Sequence, residues 1–164
     1  MKRVEALWQN RIYRHYYQIL QEDEQARVFC CHDMQHFLDV ARIAYILSME
    51  QHMGIAKEVI YAAALLHDLG RVKEYDRGIP HAMAGVAIAN EILAALPEEA
   101  EFTETEKEAI VVAIATHQEE TGAKEASLAR VLQKADRLSR PCYLCRVRSQ
   151  CKWPKEKMNT TIVE

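Results

Sequence analysis

Residues 60–71 read Ile-Tyr-Ala-Ala-Ala-Leu-Leu-His-Asp-Leu-Gly-Arg, an apolar helical run that ends in an adjacent histidine and aspartate. Ile60, Ala63, Ala64 and His67 fall at i, i+3, i+4 and i+7, so the imidazole shares a stripe with small apolar side chains and points inward. Burying an imidazole and a carboxylate there costs free energy unless both are hydrogen-bonded, paired or bound to a metal. His67 and Asp68 therefore require partners from elsewhere in the chain. Gly70 is placed to cap the helix just beyond them.

Similar stripes recur. His36 shares a face with Val40, Ile43 and Leu47, behind Asp33 at the expected helix start; His117 closes the stripe Ile110, Ala113, Ile114; Asp136 lies one turn beyond Leu132. His81 follows Pro80 in the first turn of a helix whose Ala84 and Gly85 permit close packing. His32, one turn before His36, reads as support for the helix entry. His15 and the tyrosines at 13, 16 and 17 read as core or partner-helix contacts in an opening amphipathic helix.

Six helices are expected, over residues 3–21, 33–52, 56–68, 81–96, 104–117 and 127–139, with Thr103 and Glu106 forming a capping box and residues 71–80 a loop. No alternating strand pattern, hairpin signal or fixed-period repeat is present, so the expected fold class is all-α. With 164 residues, 49% hydrophobic, and only five Gly and four Pro, one domain suffices. Its expected extent is residues 1–141, followed by a Cys-rich basic tail over 142–164.

The net charge of -3 argues against general nucleic-acid binding. Between Lys134 and Lys157, however, eight basic residues face only Asp136 and Glu156, which makes this stretch either a solvated tail or a phosphate-attracting rim. No apolar run reaches bilayer length and the N-terminus lacks a signal-peptide core, so the expected location is cytoplasmic and membrane-free. There the five cysteines would be thiols or metal ligands.

Inward imidazoles and carboxylates on several helices suit divalent transition metals such as Mn, Fe or Zn. His36, then His67-Asp68, then Asp136, with the neighbourhoods His-Phe-Leu-Asp-Val-Ala-Arg from residue 36, Ala-Ala-Leu-Leu-His-Asp-Leu-Gly-Arg from 63 and Lys-Ala-Asp-Arg-Leu from 134, resemble the HD-domain superfamily of metal-dependent phosphohydrolases. The resemblance covers about residues 30–140. It implies that His36, His67, Asp68 and Asp136 bind one divalent ion, with Fe, Mn, Zn, Mg and Ni all eligible.

His81 and His117 are similar to the two further histidines that hold a second ion in dinuclear members, with Asp68 bridging. That layout resembles the HD proteins that hydrolyse dinucleoside tetraphosphates. It implies a phosphorylated small-molecule substrate, a nucleotide or a relative, attacked at phosphorus by metal-activated water, with His67 and Asp68 central to catalysis. Arg71, Lys73, Lys134, Arg137 and Arg140 are then candidates to hold substrate phosphates. A di-iron oxygenase of the HD type and a non-catalytic nucleotide-sensing module are the alternatives.

Cys142, Cys145 and Cys151 form a C-x2-C-x5-C array whose first pair has metal-ligand spacing. A Zn or iron-sulfur site there needs a fourth ligand, from Cys30, Cys31 or His32. The competing reading is three reduced thiols in a tail that packs with Trp153.

Overall fold

The computed structural model describes residues 1–118 and 127–162, and within them every regular element is helical. The elements are α1 (Lys2–Gln9), α2 (Arg11–Asp23), α3 (Met34–Glu50), α4 (Lys57–Leu66), α5 (Arg71–Arg77), α6 (His81–Ala94), α7 (Glu104–Thr116) and α8 (Leu128–Leu138). Short 3-10 turns occupy Glu98–Ala100, Cys142–Leu144, Arg148–Gln150 and Lys155–Lys157.

Helix α4 is the axis. Every residue from Val59 to Leu66 is buried, as its apolarity on all faces requires. It packs on α3, α7 and α8, while α3 packs along α8 and α6 along α7. Tyr13, Leu20, Phe37, Leu69 and Phe102 are fully buried around it, as are its own Ile60 and Leu66. Each such side chain contributes about 1.5–3 kcal/mol of burial free energy.

Three local features depart from the sequence expectation. The single opening helix over 3–21 is divided at Asn10, whose extended backbone and side-chain oxygen cap α2 by accepting from the amides of Ile12 and Tyr13 at 2.9 and 3.2 Å. The expected loop over 71–80 contains the seven-residue α5, which has one buried residue, Val72, and therefore shows no hydrophobic period. Gly70 does not cap α4 in a left-handed conformation; it sits at φ −62°, ψ −17° before α5, and α4 ends at Leu66.

The Thr103–Glu106 capping box is present, and Asp33 caps α3 by accepting from the His36 amide at 2.8 Å. Tyr13 is buried against Trp8 and Tyr17, as core aromatics. No helix among the described residues is long and apolar enough to cross a membrane.

The tail is tied back to the end of α8. The Asn159 amide nitrogen donates to the carbonyls of Arg137, Leu138 and Arg140 at 2.8, 3.1 and 2.9 Å, satisfying helix-end acceptors. Arg140 is buried, with its guanidinium 4.3 Å from the Trp153 ring centre.

Candidate metal centre

The turn between α4 and α5 carries His67 and Asp68 at the centre of the molecule, both essentially without solvent contact. His67 closes α4, and its Nδ1 lies 2.7 Å from the Ala64 carbonyl. His117 closes α7 in the same way, with Nδ1 2.7 Å from the Ile114 carbonyl. A carbonyl only accepts, so Nδ1 carries the proton in both rings and Nε2 presents a lone pair.

The other two imidazoles reach that state through side chains. His81 donates from Nδ1 to Glu74 Oε1 at 3.1 Å. Ser139 donates its hydroxyl to the Asp136 carbonyl at 2.8 Å, leaving its oxygen to accept from His36 Nδ1 at 3.3 Å.

All four Nε2 atoms converge on one carboxylate. His67 and His36 lie 3.0 and 3.8 Å from Asp68 Oδ2, while His81 and His117 lie 3.5 and 3.9 Å from Oδ1. Asp136 Oδ1 stands 3.6 Å from His36 Nε2 and 4.0 Å from His67 Nε2. Two donor groups result, His36–His67–Asp68–Asp136 and Asp68–His81–His117, each with its atoms within 4.8 Å of one another.

The Nε2 atoms of His36, His67, His81 and His117 are buried and lack hydrogen-bond partners. Leaving four such acceptors orphaned is costly, and neutral imidazoles with carboxylates form the donor set that divalent transition metals take. The residues therefore fit a metal centre.

Until a metal is bound, the lone pair on His67 Nε2 is taken at neutral pH by a proton shared with Asp68 Oδ2. Burial alone would lower the His67 pKa, but the Asp68 carboxylate outweighs it and raises the value to about 9. Burial would raise Asp68, yet the His67 and His32 rings beside it bring it well below the usual carboxylate range. His117 is lowered, first by burial, with the His67 charge acting in the same sense. A divalent cation would replace the proton held between His67 and Asp68.

Close backbone approach assembles the two groups. A Cβ on Gly70 would lie 2.0 Å from the His81 carbonyl oxygen and 2.5 Å from the Gly85 amide nitrogen, so the first turn of α6 rests directly on the turn after Asp68. A Cβ on Gly85 would lie 3.1 Å from Ile114 Cγ2. The two glycines thus bring α6 onto the turn after His67 and against α7, and His81 and His117 with them.

The phosphate candidates have separate surroundings. Arg71 donates to Asp68 Oδ1 at 3.2 Å and to Glu74 Oε2 at 2.9 Å. Lys73 lies over the Tyr16 ring at 5.7 Å. Arg137 donates to the Glu156 carbonyl at 2.6 Å, Arg140 is turned to Trp153, and Lys134 is exposed.

His32, which by its place in the sequence supports the helix entry, also faces the centre. Its amide and Nδ1 bond Glu24 at 2.7 and 2.5 Å, and its Nε2 lies 3.5 Å from Asp68 Oδ2. Glu24, Glu74 and Ser139 carry no role at the site that the sequence alone assigns. They lie in short-range polar stretches whose partners are set by tertiary contacts, and only the repeated pairing of a carboxylate with a nearby histidine hints at them.

This helical fold, with a histidine-aspartate pair at its centre, matches the HD domain over residues 34–140. The chain belongs to the HD domain family. A protein of Clostridium beijerinckii, described only as uncharacterized, is 36% identical over 162 residues that cover 99% of both chains.

Ribonuclease Y of Lawsonia intracellularis is 32% identical over 106 residues, which are 65% of this chain and 18% of the ribonuclease. The crystal structure of a predicted HD superfamily hydrolase from an uncultured Thermotogales bacterium superposes with a TM-score of 0.60 at 25% identity, covering 88% of this chain and 80% of the other. Family, fold and donor set together mark the protein as a metal-dependent hydrolase of the HD type.

Proposed function

We propose that this protein hydrolyses a phosphoester or phosphoanhydride of a nucleotide or related phosphorylated small molecule, in the manner of the dinuclear HD enzymes that cleave dinucleoside tetraphosphates. The observation that carries the reading is the convergence of four partnerless Nε2 atoms on the two oxygens of Asp68. His36, His67, Asp68 and Asp136 would hold one divalent ion; Asp68, His81 and His117 would hold a second. When bound, such ions make water nucleophilic near neutral pH and neutralise charge on a phosphoryl oxygen.

The chain's own groups set the stage for that chemistry. Arg71 fixes the Asp68 carboxylate, and Glu74 fixes both Arg71 and the His81 ring. Buried apolar side chains behind His67 exclude bulk water, which strengthens electrostatic interactions inside the centre. Asp136 is the most exposed ligand candidate, at 28% of its side chain, so substrate approaches past it and past Arg71, the cation best placed to meet a phosphate. Lys134 on the same helix as Asp136 offers a second, outer cation. Residues 1–141 would constitute the catalytic unit and 142–164 an appended segment.

The test is a phosphate-release screen over nucleotides, dinucleoside tetraphosphates and a short RNA, with Mn, Fe, Zn, Mg and Ni supplied in turn. Turnover of a nucleotide that disappears in Asp68→Ala supports the reading. Cleavage confined to the RNA would instead assign a ribonuclease activity, and metal-replete protein inert to every substrate would overturn the reading.

A further inference from the structure

Outside the His/Asp centre, the remaining dense set of metal-ligating side chains is sulfur. Cys142, Cys145 and Cys151 are half-buried, whereas most of their neighbours, including Tyr143, Leu144, Arg146, Arg148, Gln150 and Lys152, are exposed. Cys145 and Cys151 line one open hollow of about 850 Å³ together with Trp153 and Met158.

Ser139 at the end of α8 meets His36 in the first turn of α3, so the segment carrying Cys30, just before α3, and the segment carrying Cys142, just after α8, both leave from this contact. The ionisable groups around the half-buried Cys30 thiol are Cys142, Cys145, Cys151 and the Arg140 guanidinium. Cys30 and the tail cysteines therefore share one neighbourhood, with no three of their sulfurs within 4.8 Å of one another. Cys31 does not join them: its Sγ faces the Phe29 and Arg27 carbonyls at 3.4 and 3.8 Å.

The tail is ordered without a core of its own. Between residues 142 and 157 it forms only three short 3-10 turns, none with a buried residue, and it leaves Leu144 74% exposed and Trp153 45% exposed. Its anchors are the Asn159 bonds to the end of α8, the Arg137 bond to the Glu156 carbonyl and the stack of Arg140 on Trp153, and a crosslink through the cysteines, which form no disulfide, would hold the stretch between them. It also lies beyond the residues that match the HD domain, which end at 140.

We propose that Cys30, Cys142, Cys145 and Cys151 form a four-thiolate site for a [4Fe–4S] cluster that staples the tail to the entry of α3. Four thiolates are the standard ligand set of such clusters. A Zn ion, with bonds of about 2.3 Å, would draw the sulfurs to within ~4 Å of one another. Among the described residues, the groups with donor atoms within 4.8 Å are the two His/Asp sets, so the sulfurs are spread more widely than Zn requires. A four-iron cubane carries its thiolates at the corners of a larger tetrahedron.

The test uses the protein purified without oxygen, or reconstituted without oxygen from equal amounts of ferrous and ferric iron with sulfide. Acid-labile sulfide distinguishes the cluster from iron in the His/Asp centre, and about four sulfides per chain are expected, with broad visible absorption that bleaches on reduction. Cys30→Ser, Cys145→Ser and Cys151→Ser lose the sulfide, whereas Cys31→Ser keeps it.

Metal retained at the His/Asp centre of the same variants shows that they are folded. Should a variant unfold, the reconstituted wild-type chain decides alone. Absence of labile sulfide from it, Zn bound by the thiolates in place of a cluster, or sulfide surviving loss of the three cysteines would overturn the proposal.

Discussion

The Cα of Gly70 faces the carbonyl of His81 so closely that a methyl group on Gly70 would stand 2.0 Å from that oxygen. Neither backbone can yield without moving a histidine of the centre. Gly70→Ala is expected to destabilise the fold by about 3 kcal/mol or more, the upper end of overpacking costs. A melting temperature lowered by roughly 6 °C or more would register it. An unchanged melting curve would show that α6 does not rest on this turn.

Asp68 faces both donor groups, and each other ligand candidate belongs to one. Metal analysis of equilibrated variants should therefore separate them. Asp68→Ala binds no metal tightly, His67→Ala loses the first ion, and His81→Ala or His117→Ala retains one ion of two. Equal stoichiometry in wild type and His81→Ala would remove the second ion from the account.

Glu74 touches no proposed metal position yet accepts from both His81 and Arg71. Removing a carboxylate that orients a ligating histidine typically costs about 10–100-fold in metal affinity. Calorimetric titration with Mn should find that loss in Glu74→Ala at one site, with the other unaffected. A uniform loss at both sites would point to Arg71 and Asp68 as the affected pair.

Glu24 is expected to govern acid stability around His32. Burial would raise its pKa, but the His32 ring and amide and the Tyr75 hydroxyl hold it at about 2 instead of the ordinary 4.5. A depressed folded-state value means that ionised Glu24 stabilises the fold above pH 4.5 and that this stabilisation is lost as pH falls towards 2. The melting-temperature difference between wild type and Glu24→Gln should accordingly shrink over that range. A constant difference would mean that the bonds to Glu24 do not depend on its charge.

Much of the centre was legible in one dimension because helices turn periodic spacing into position. His36, His67 and His117 each continue an apolar stripe, and each is brought to the centre. The capping residues Asp33 and Thr103 were legible for the same local reason. Asn10 was not, because a one-residue break between two helices of matching face leaves the hydrophobic pattern nearly intact. Helix α5 was too short and too polar to be distinguished from a loop.

Partnership was less legible than position. Arg71 and Arg140 looked alike as exposed cations, but one bonds Asp68 and the other stacks on Trp153. Charge on a sequence does not reveal which opposite charge or ring lies opposite it in space.

The amino-acid sequence by itself determined the helical class, the inward placement of His36, His67 and His117 and the need of the His67–Asp68 pair for partners, since all three follow from spacing and the cost of burying polar groups. Only the tertiary structure decided that Asp68 turns one oxygen to His36 and His67 and the other to His81 and His117. That division depends on how closely α6 and α7 approach the turn after α4. The approach is set by backbone contact at Gly70 and Gly85, between segments whose proximity no local pattern encodes.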